Sequence, residues 1–272
     1  MTVPDLAATT ATSLEGRHAL VTGAGTGIGA AIARRLAQAG ARVTLAGRRE
    51  APLRAVAAEL PVGSATVVAG FDVTDPAAIE QGLAAARAAF GPVAILVNNA
   101  GAAETAPFGK TSLDQWQRVI AVDLTSVFLV TQAVLADVRA AGANGGGRIV
   151  NVASTAGLVG YRYVSAYCAA KHGVVGLTRS LALELAKTGV TVNAVCPGYT
   201  DTPLVRDAVA AIMAKTGRSE TEVLAELTAG NPQGRLVDPD EVADTVAWLV
   251  SSGAASINGQ AIAVAGGEVM VG

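Results

Sequence analysis

From His18 onward, short β-branched runs alternate with longer stretches in which apolar residues recur every three or four positions. The short runs fall at 19–22, 42–45, 65–68, 93–97, 148–152, 190–195 and 260–264. The helical patterns between them fall at 30–39, 76–90, 113–139, 166–187 and 239–250. Strand and helix alternating at this period predict a parallel sheet of about seven strands covered by helices on both faces. A right-handed crossover at each step makes this a doubly wound α/β Rossmann fold.

One segment breaks the rhythm. Between the sixth and seventh strands, 203–235 carries two amphipathic patterns, 204–215 and 220–228, where a crossover needs only one helix. The insertion reads either as a long connection or as a lid, and its place beyond a strand C-terminus, where such sheets bind ligands, favours the lid. No internal repeat or Pro- and Ser-rich linker marks a second domain, and Gly142 to Gly147 reads as a turn before a strand. We therefore expect one domain over 14–272 and a loose tail over 1–13, which has neither a basic start nor a continuous apolar core.

Composition narrows the function classes. Apolar residues make up 51% of the 272 and charged residues 15%, enough for a large core and too apolar for disorder. A formal charge of −2 supplies no basic excess for a nucleic-acid backbone. Every hydrophobic run is interrupted before about 18 residues, so the expectation is a soluble, cytoplasmic protein that does not enter a membrane. Cys168 and Cys196 sit in apolar segments, as reduced thiols usually do, and two histidines without clustered cysteines give no basis for a metal site.

The candidate chemistry begins at the first strand, which runs into Thr22-Gly-Ala-Gly-Thr-Gly-Ile-Gly29 and then a helix. Gly23, Gly27 and Gly29, with Thr26 and Ile28 between them, allow a tight turn and close approach of a pyrophosphate to a helix N-terminus. The spacing is Gly-x3-Gly-x-Gly rather than the usual Gly-x-Gly-x-x-Gly. At the end of the second strand, where a carboxylate would select NAD, the chain has Arg48 and Arg49, so NADP is favoured and NAD remains possible. Asp72 and Val73 follow the third strand, where Asp72 reads either as an adenine contact or as a turn residue. Tyr167 and Lys171, four residues apart, share a helix face, where a fixed ammonium favours phenolate and suits the Tyr to acid–base work near neutral pH.

With Thr22 to Gly29, Asn98-Asn-Ala-Gly101, Ser154, Tyr167, Lys171 and Pro197-Gly198 in this order, the chain resembles the short-chain dehydrogenase/reductase family from Leu14 to Gly267. The stretch from Asn151 to Pro203 looks especially like 3-oxoacyl reductases and polyketide ketoreductases. The resemblance implies that Tyr167 protonates the carbonyl oxygen as hydride arrives. It likewise implies that Lys171 holds the nicotinamide ribose and that Ser154 hydrogen-bonds the substrate oxygen. It also implies that Asn99, Ala100, Gly101, Pro197 and Gly198 shape the cofactor pocket and that Thr202, or its rival Thr200, bonds the carboxamide. Family members are often tetramers built through the helices corresponding to 113–139 and 166–187. One residue departs from the pattern: Asp123 stands where the family usually has an Asn that completes a proton relay, and a buried carboxylate there needs partners.

The sequence thus reads as an NADP-dependent oxidoreductase interconverting a ketone and a secondary alcohol, favouring a 3-oxoacyl thioester. The alternatives are an NAD-linked catabolic dehydrogenase of hydroxyacyl or other secondary alcohols, and a regulatory protein that binds dinucleotide without catalysis.

Overall fold

The computed structural model describes residues 13–270, so of the tail expected over 1–13 only exposed Ser13 lies within the described residues. The chain runs β1 (His18–Thr22), α1 (Gly27–Gln38), β2 (Arg42–Gly47), α2 (Glu50–Ala58), β3 (Ala65–Ala69), α3 (Pro76–Phe90) and β4 (Ile95–Asn98). It continues through α4 (Leu113–Ile120), α5 (Ser126–Gly142), β5 (Arg148–Val152), α6 (Ser165–Leu185) and β6 (Thr191–Pro197). Helices α7 (Pro203–Thr216), α8 (Glu220–Thr228) and α9 (Pro239–Val250) precede the last strand, β7 (Ala261–Val264). All strand pairs are parallel, in the order β3-β2-β1-β4-β5-β6-β7, so the expected seven-stranded doubly wound sheet is what forms.

The period-two alternation of the strands divides the core. Val21, Leu45, Val97 and Val150 point to the face covered by α1 and α9, whereas Leu20, Ala46, Leu96 and Ile149 point to the face covered by α3, α5 and α6. Burial of both faces explains why the strands read as continuous apolar runs. The sheet order reverses between β1 and β4, which opens the crevice in which such folds bind ligands.

Two elements differ from the sequence expectation. Helix α2 forms although no helical pattern is apparent there: Pro52 occupies its first turn, where a missing N–H costs nothing, and only Leu53 and Val56 are buried. The single helix expected over 113–139 runs to Gly142 but is interrupted at Ala121–Thr125 by a wide turn of i→i+5 geometry. Such turns occur often at functional sites, and this one carries buried Asp123. By length and composition, Leu113–Gly142 is apolar enough to cross a membrane; here α5 packs against β4, β5 and α3 as a core helix.

Candidate active site

The turn between β1 and α1 is built from backbone. Gly23 and Gly27 take φ of +65° and +54°, a region that penalises side chains. At Gly29 a Cβ would lie 2.4 Å from both Asn99 Nδ2 and the Gly23 carbonyl oxygen, so only glycine lets the helix start press onto the turn. Thr26 caps α1 without a side-chain hydrogen bond, and no acidic residue occupies the first turn. The positive helix end and its N–H groups are therefore open, and these residues fit a pyrophosphate. Thr22 Oγ1 accepts N–H groups from Asn99 and Ala100 at 3.0 Å each, while the Asn99 amide donates to the Thr22 carbonyl at 2.9 Å. The turns on either side of the crevice are thereby locked into one unit.

At the far end of this crevice the tips of β2 and β3 meet, with Gly70 N–H donating to the Arg48 carbonyl at 3.3 Å. Arg48 and Arg49 are exposed, and among the described residues neither enters an ion pair. Asp72 accepts from the Thr74 N–H and hydroxyl at 2.9 and 2.7 Å, a turn contact and one of the two readings open to it. Those two bonds, with help from Arg48, hold its carboxyl below the usual range. Val73 is buried beside it.

The catalytic candidates converge beyond β5 and on the first turns of α6. Ser154 caps a single tight turn at Thr155–Gly157, and its Oγ accepts the Ala156 N–H at 3.1 Å, which leaves the hydroxyl proton free to donate. Tyr167 is half-buried, and buried Lys171 places Nζ 5.5 Å from the Tyr167 ring centroid. Lys171 Nζ donates to the Val152 carbonyl at 3.2 Å and lies 3.4 Å from Asp123 Oδ1. Burial opposes the ammonium charge, but Tyr167 and Asp123 together outweigh it and hold the Lys171 pKa above its ordinary value. Burial raises the Asp123 pKa, against the pull of Lys171 and of the Ala102 N–H, which donates to Oδ1 at 3.2 Å. Asp123 Oδ2 is buried with no hydrogen-bond partner. Gly101 lies between the two groups: a Cβ there would be 2.7 Å from Asp123 Oδ1 and 3.6 Å from Lys171 Nζ.

A buried polar ladder supports this set from below. The Asn98 amide donates to Asn151 Oδ1 at 2.9 Å, and the Asn151 amide donates to Thr178 Oγ1 at 2.9 Å, tying β4 and β5 to α6. Pro197 ends β6 and Gly198 N–H donates to the Val264 carbonyl at 3.0 Å. The Thr200 hydroxyl donates to the Gly198 carbonyl at 2.9 Å, a turn contact, while Thr202 caps α7 and sets its methyl over Gly27. Of the rival pair, Thr202 is therefore the one beside the phosphate turn. Nearby Cys196 is free, and burial pushes its thiol up to about 11.

Four residues at this end of the sheet escape a reading of the sequence: Thr155, Tyr161, Tyr199 and Glu268. Tyr161 Oη lies 2.6 Å from Glu268 Oε1 and 2.9 Å from Thr155 Oγ1, and its ring meets Tyr199 edge-on at 6.5 Å. No spacing rule links residues 107 positions apart, as Tyr161 and Glu268 are. Tyr163, on the same loop, takes a left-handed φ of +69°, the kind of strained backbone that collects at binding sites. Its carbonyl accepts the Ala106 N–H at 2.8 Å, joining this loop to the one after β4.

The short chain dehydrogenase family model matches residues 17–212. The granaticin polyketide synthase putative ketoacyl reductase 1 of Streptomyces violaceoruber is 48% identical over 256 residues, covering 92% of each chain. The D-beta-hydroxybutyrate dehydrogenase of Rhizobium meliloti (strain 1021) is 40% identical over 256 residues, covering 92% of this chain and 98% of that one. A crystal structure of an actinorhodin polyketide ketoreductase variant with NADPH superposes with a TM-score of 0.84 at 42% identity, over 93% of this chain and 97% of that one. The chain belongs to the short-chain dehydrogenase family, whose members are oxidoreductases acting on hydroxyl and keto groups.

Proposed function

We propose that this protein uses NADPH to reduce a 3-oxoacyl thioester or a related ketone to the secondary alcohol. The observation that carries the reading is the convergence of Ser154, Tyr167 and Lys171 where β5 meets α6, beside a turn that fits a pyrophosphate. Ser154 donates its free hydroxyl proton to the carbonyl oxygen and holds it against Tyr167. Tyr167 delivers the proton that converts the developing alkoxide into the alcohol. Lys171 favours the phenolate left behind and offers its ammonium to a ribose hydroxyl. The bound dihydronicotinamide supplies the hydride. Exposed Arg48 and Arg49 suit a 2′-phosphate, and the actinorhodin ketoreductase structure contains NADPH.

Helices α7 and α8 act as a lid that closes over the substrate. The protein works in the cytoplasm as a homo-oligomer, a tetramer, in which a second copy covers exposed Leu113, Trp116 and Phe128 on α4 and α5 and Leu183 on α6. Oxidation of NADPH followed with a 3-oxoacyl thioester tests the activity, and faster turnover with NADH would overturn the cofactor assignment. A second reading, an NAD-linked dehydrogenase of hydroxy acids, has the D-beta-hydroxybutyrate dehydrogenase relative in its favour.

A further inference from the structure

Glu268 follows β7 by a Gly266-Gly267 turn and returns over the C-terminal ends of the strands. A Cβ on Gly198 would lie 2.9 Å from Glu268 Oε2, and one on Gly230, past the end of α8, would lie 3.4 Å from Oε1. The carboxylate thus stands where the ends of β5, β6 and β7 meet the insertion. It is also fixed in direction. The Tyr161 phenol has one proton and donates it across the shorter 2.6 Å contact to Glu268, so the Thr155 hydroxyl donates to the phenol oxygen at 2.9 Å. Thr155 is buried and adjoins Ser154, so the hydrogen-bond chain starts one residue from the proposed carbonyl contact.

The charge of Glu268 acts on the Tyr199 phenol, whose ring meets Tyr161 edge-on. After burial, Glu268 is the strongest influence holding the Tyr199 phenol above its ordinary range, and Tyr167 acts on that same phenol. Lys171 is buried and already paired with Asp123, Arg206 is paired with Asp201, and Arg118 with Glu104. Arg162 is exposed, where solvent screens it, whereas Glu268 is half-buried.

We propose that Glu268, aimed by Tyr161, is a specificity-determining residue that repels carboxylate-bearing substrates, so that the site takes neutral 3-oxo esters and thioesters in preference to free 3-oxo acids. The inference rests on the ketone-reductase reading and selects the substrate class within it. Specificity of this kind comes from a like charge set against the wrong ligand.

The test compares kcat/KM for ethyl acetoacetate, which is neutral, with that for acetoacetate, in wild type, Glu268→Gln and Tyr161→Phe. Glu268→Gln should raise the acetoacetate-to-ester ratio about fivefold, the scale of one unit charge acting through a solvated rim. Tyr161→Phe keeps the charge but frees its direction, and should give a rise smaller than that of Glu268→Gln. A ratio unchanged in folded Glu268→Gln, with both substrates altered equally, would show a merely structural contact and overturn the proposal. Should that variant not fold, the wild-type ratio decides: it should climb as ionic strength goes from about 0.02 to about 0.5 M, and a flat ratio overturns the proposal. A wild type that reduces neither ketone with either nicotinamide instead refutes the functional reading and takes this inference with it.

Discussion

Lys171 Nζ lies 3.4 Å from Asp123 Oδ1, and both side chains are buried. The family pattern leads one to expect a neutral amide at position 123. A carboxylate there meets one ammonium and one N–H and leaves Oδ2 unsatisfied, so its ionised form is poorly supported. The folded-state pKa of Asp123 is raised above its ordinary value, chiefly by burial, so between the unfolded and folded values the native state binds the extra proton. Stability contributed by that proton is therefore lost as pH rises through this window and is constant above it. Asp123→Asn has no such titration. Denaturant unfolding of both proteins at successive pH values should show the wild type losing stability relative to the variant from about pH 4 upward, then a constant difference. A difference independent of pH throughout would show that Asp123 is not raised.

Removing the proton donor separates chemistry from binding. Tyr167→Phe deletes one hydroxyl while Lys171 keeps its contacts with the Val152 carbonyl and Asp123. NADPH affinity, read by nucleotide fluorescence, should be nearly unchanged. Ketone reduction should fall by about 10²–10⁴-fold, the usual contribution of general acid catalysis. A variant with most of its wild-type kcat would remove Tyr167 from the acid role.

The sheet is legible in the sequence because a parallel strand buried on both faces is largely apolar, and runs such as Ala19–Val21 and Ile95–Val97 are apolar at every position. The candidate trio is legible because Tyr167 and Lys171 are one helical turn apart, a distance that spacing reports. The wide turn at Ala121–Thr125 is not, since one extra residue in a helical turn leaves composition and periodicity almost untouched. Helix α2 escapes for the opposite reason: with only Leu53 and Val56 buried it has too few apolar positions to set a period. The Tyr161 to Glu268 contact is created by the sheet topology, which brings the loop after β5 against the turn after β7 across β6.

Cofactor choice should follow the tips of β2 and β3. If Arg48 engages the 2′-phosphate, Arg48→Ala loses a hydrogen bond to a charged group worth about 1.5–3 kcal/mol, and the KM for NADPH should rise about 10- to 100-fold. Adding Gly47→Asp supplies a carboxylate for the ribose hydroxyls of NAD. The site has space for it, because a Cβ at Gly47 would stand 3.5 Å from Leu53 Cδ2, ordinary contact. The double variant should prefer NADH in side-by-side kinetics. Equal use of both nucleotides by the wild type would count against the phosphate role.

The insertion offers the last test. Leu204, Val205, Ile212 and Met213 recur near helical spacing on α7, yet Leu204 is 56% exposed and only Val209 of that helix is buried. Helix α7 packs chiefly against α8, whose own buried residues are Val223 and Thr228. A helix pair anchored so lightly opens at low free-energy cost, and its backbone amides should exchange well before those of β5 or β6. Its entry point matters too, because Thr202 caps α7 and sets its methyl over Gly27 of the phosphate turn. A dinucleotide seated there would touch the first turn of the lid and favour its closed position. Hydrogen exchange with NADPH and an unreactive ketone analogue should therefore slow across Leu204 to Thr228 while the sheet is unaffected. Full protection of α7 and α8 in the free enzyme would show a permanently docked element and defeat the lid.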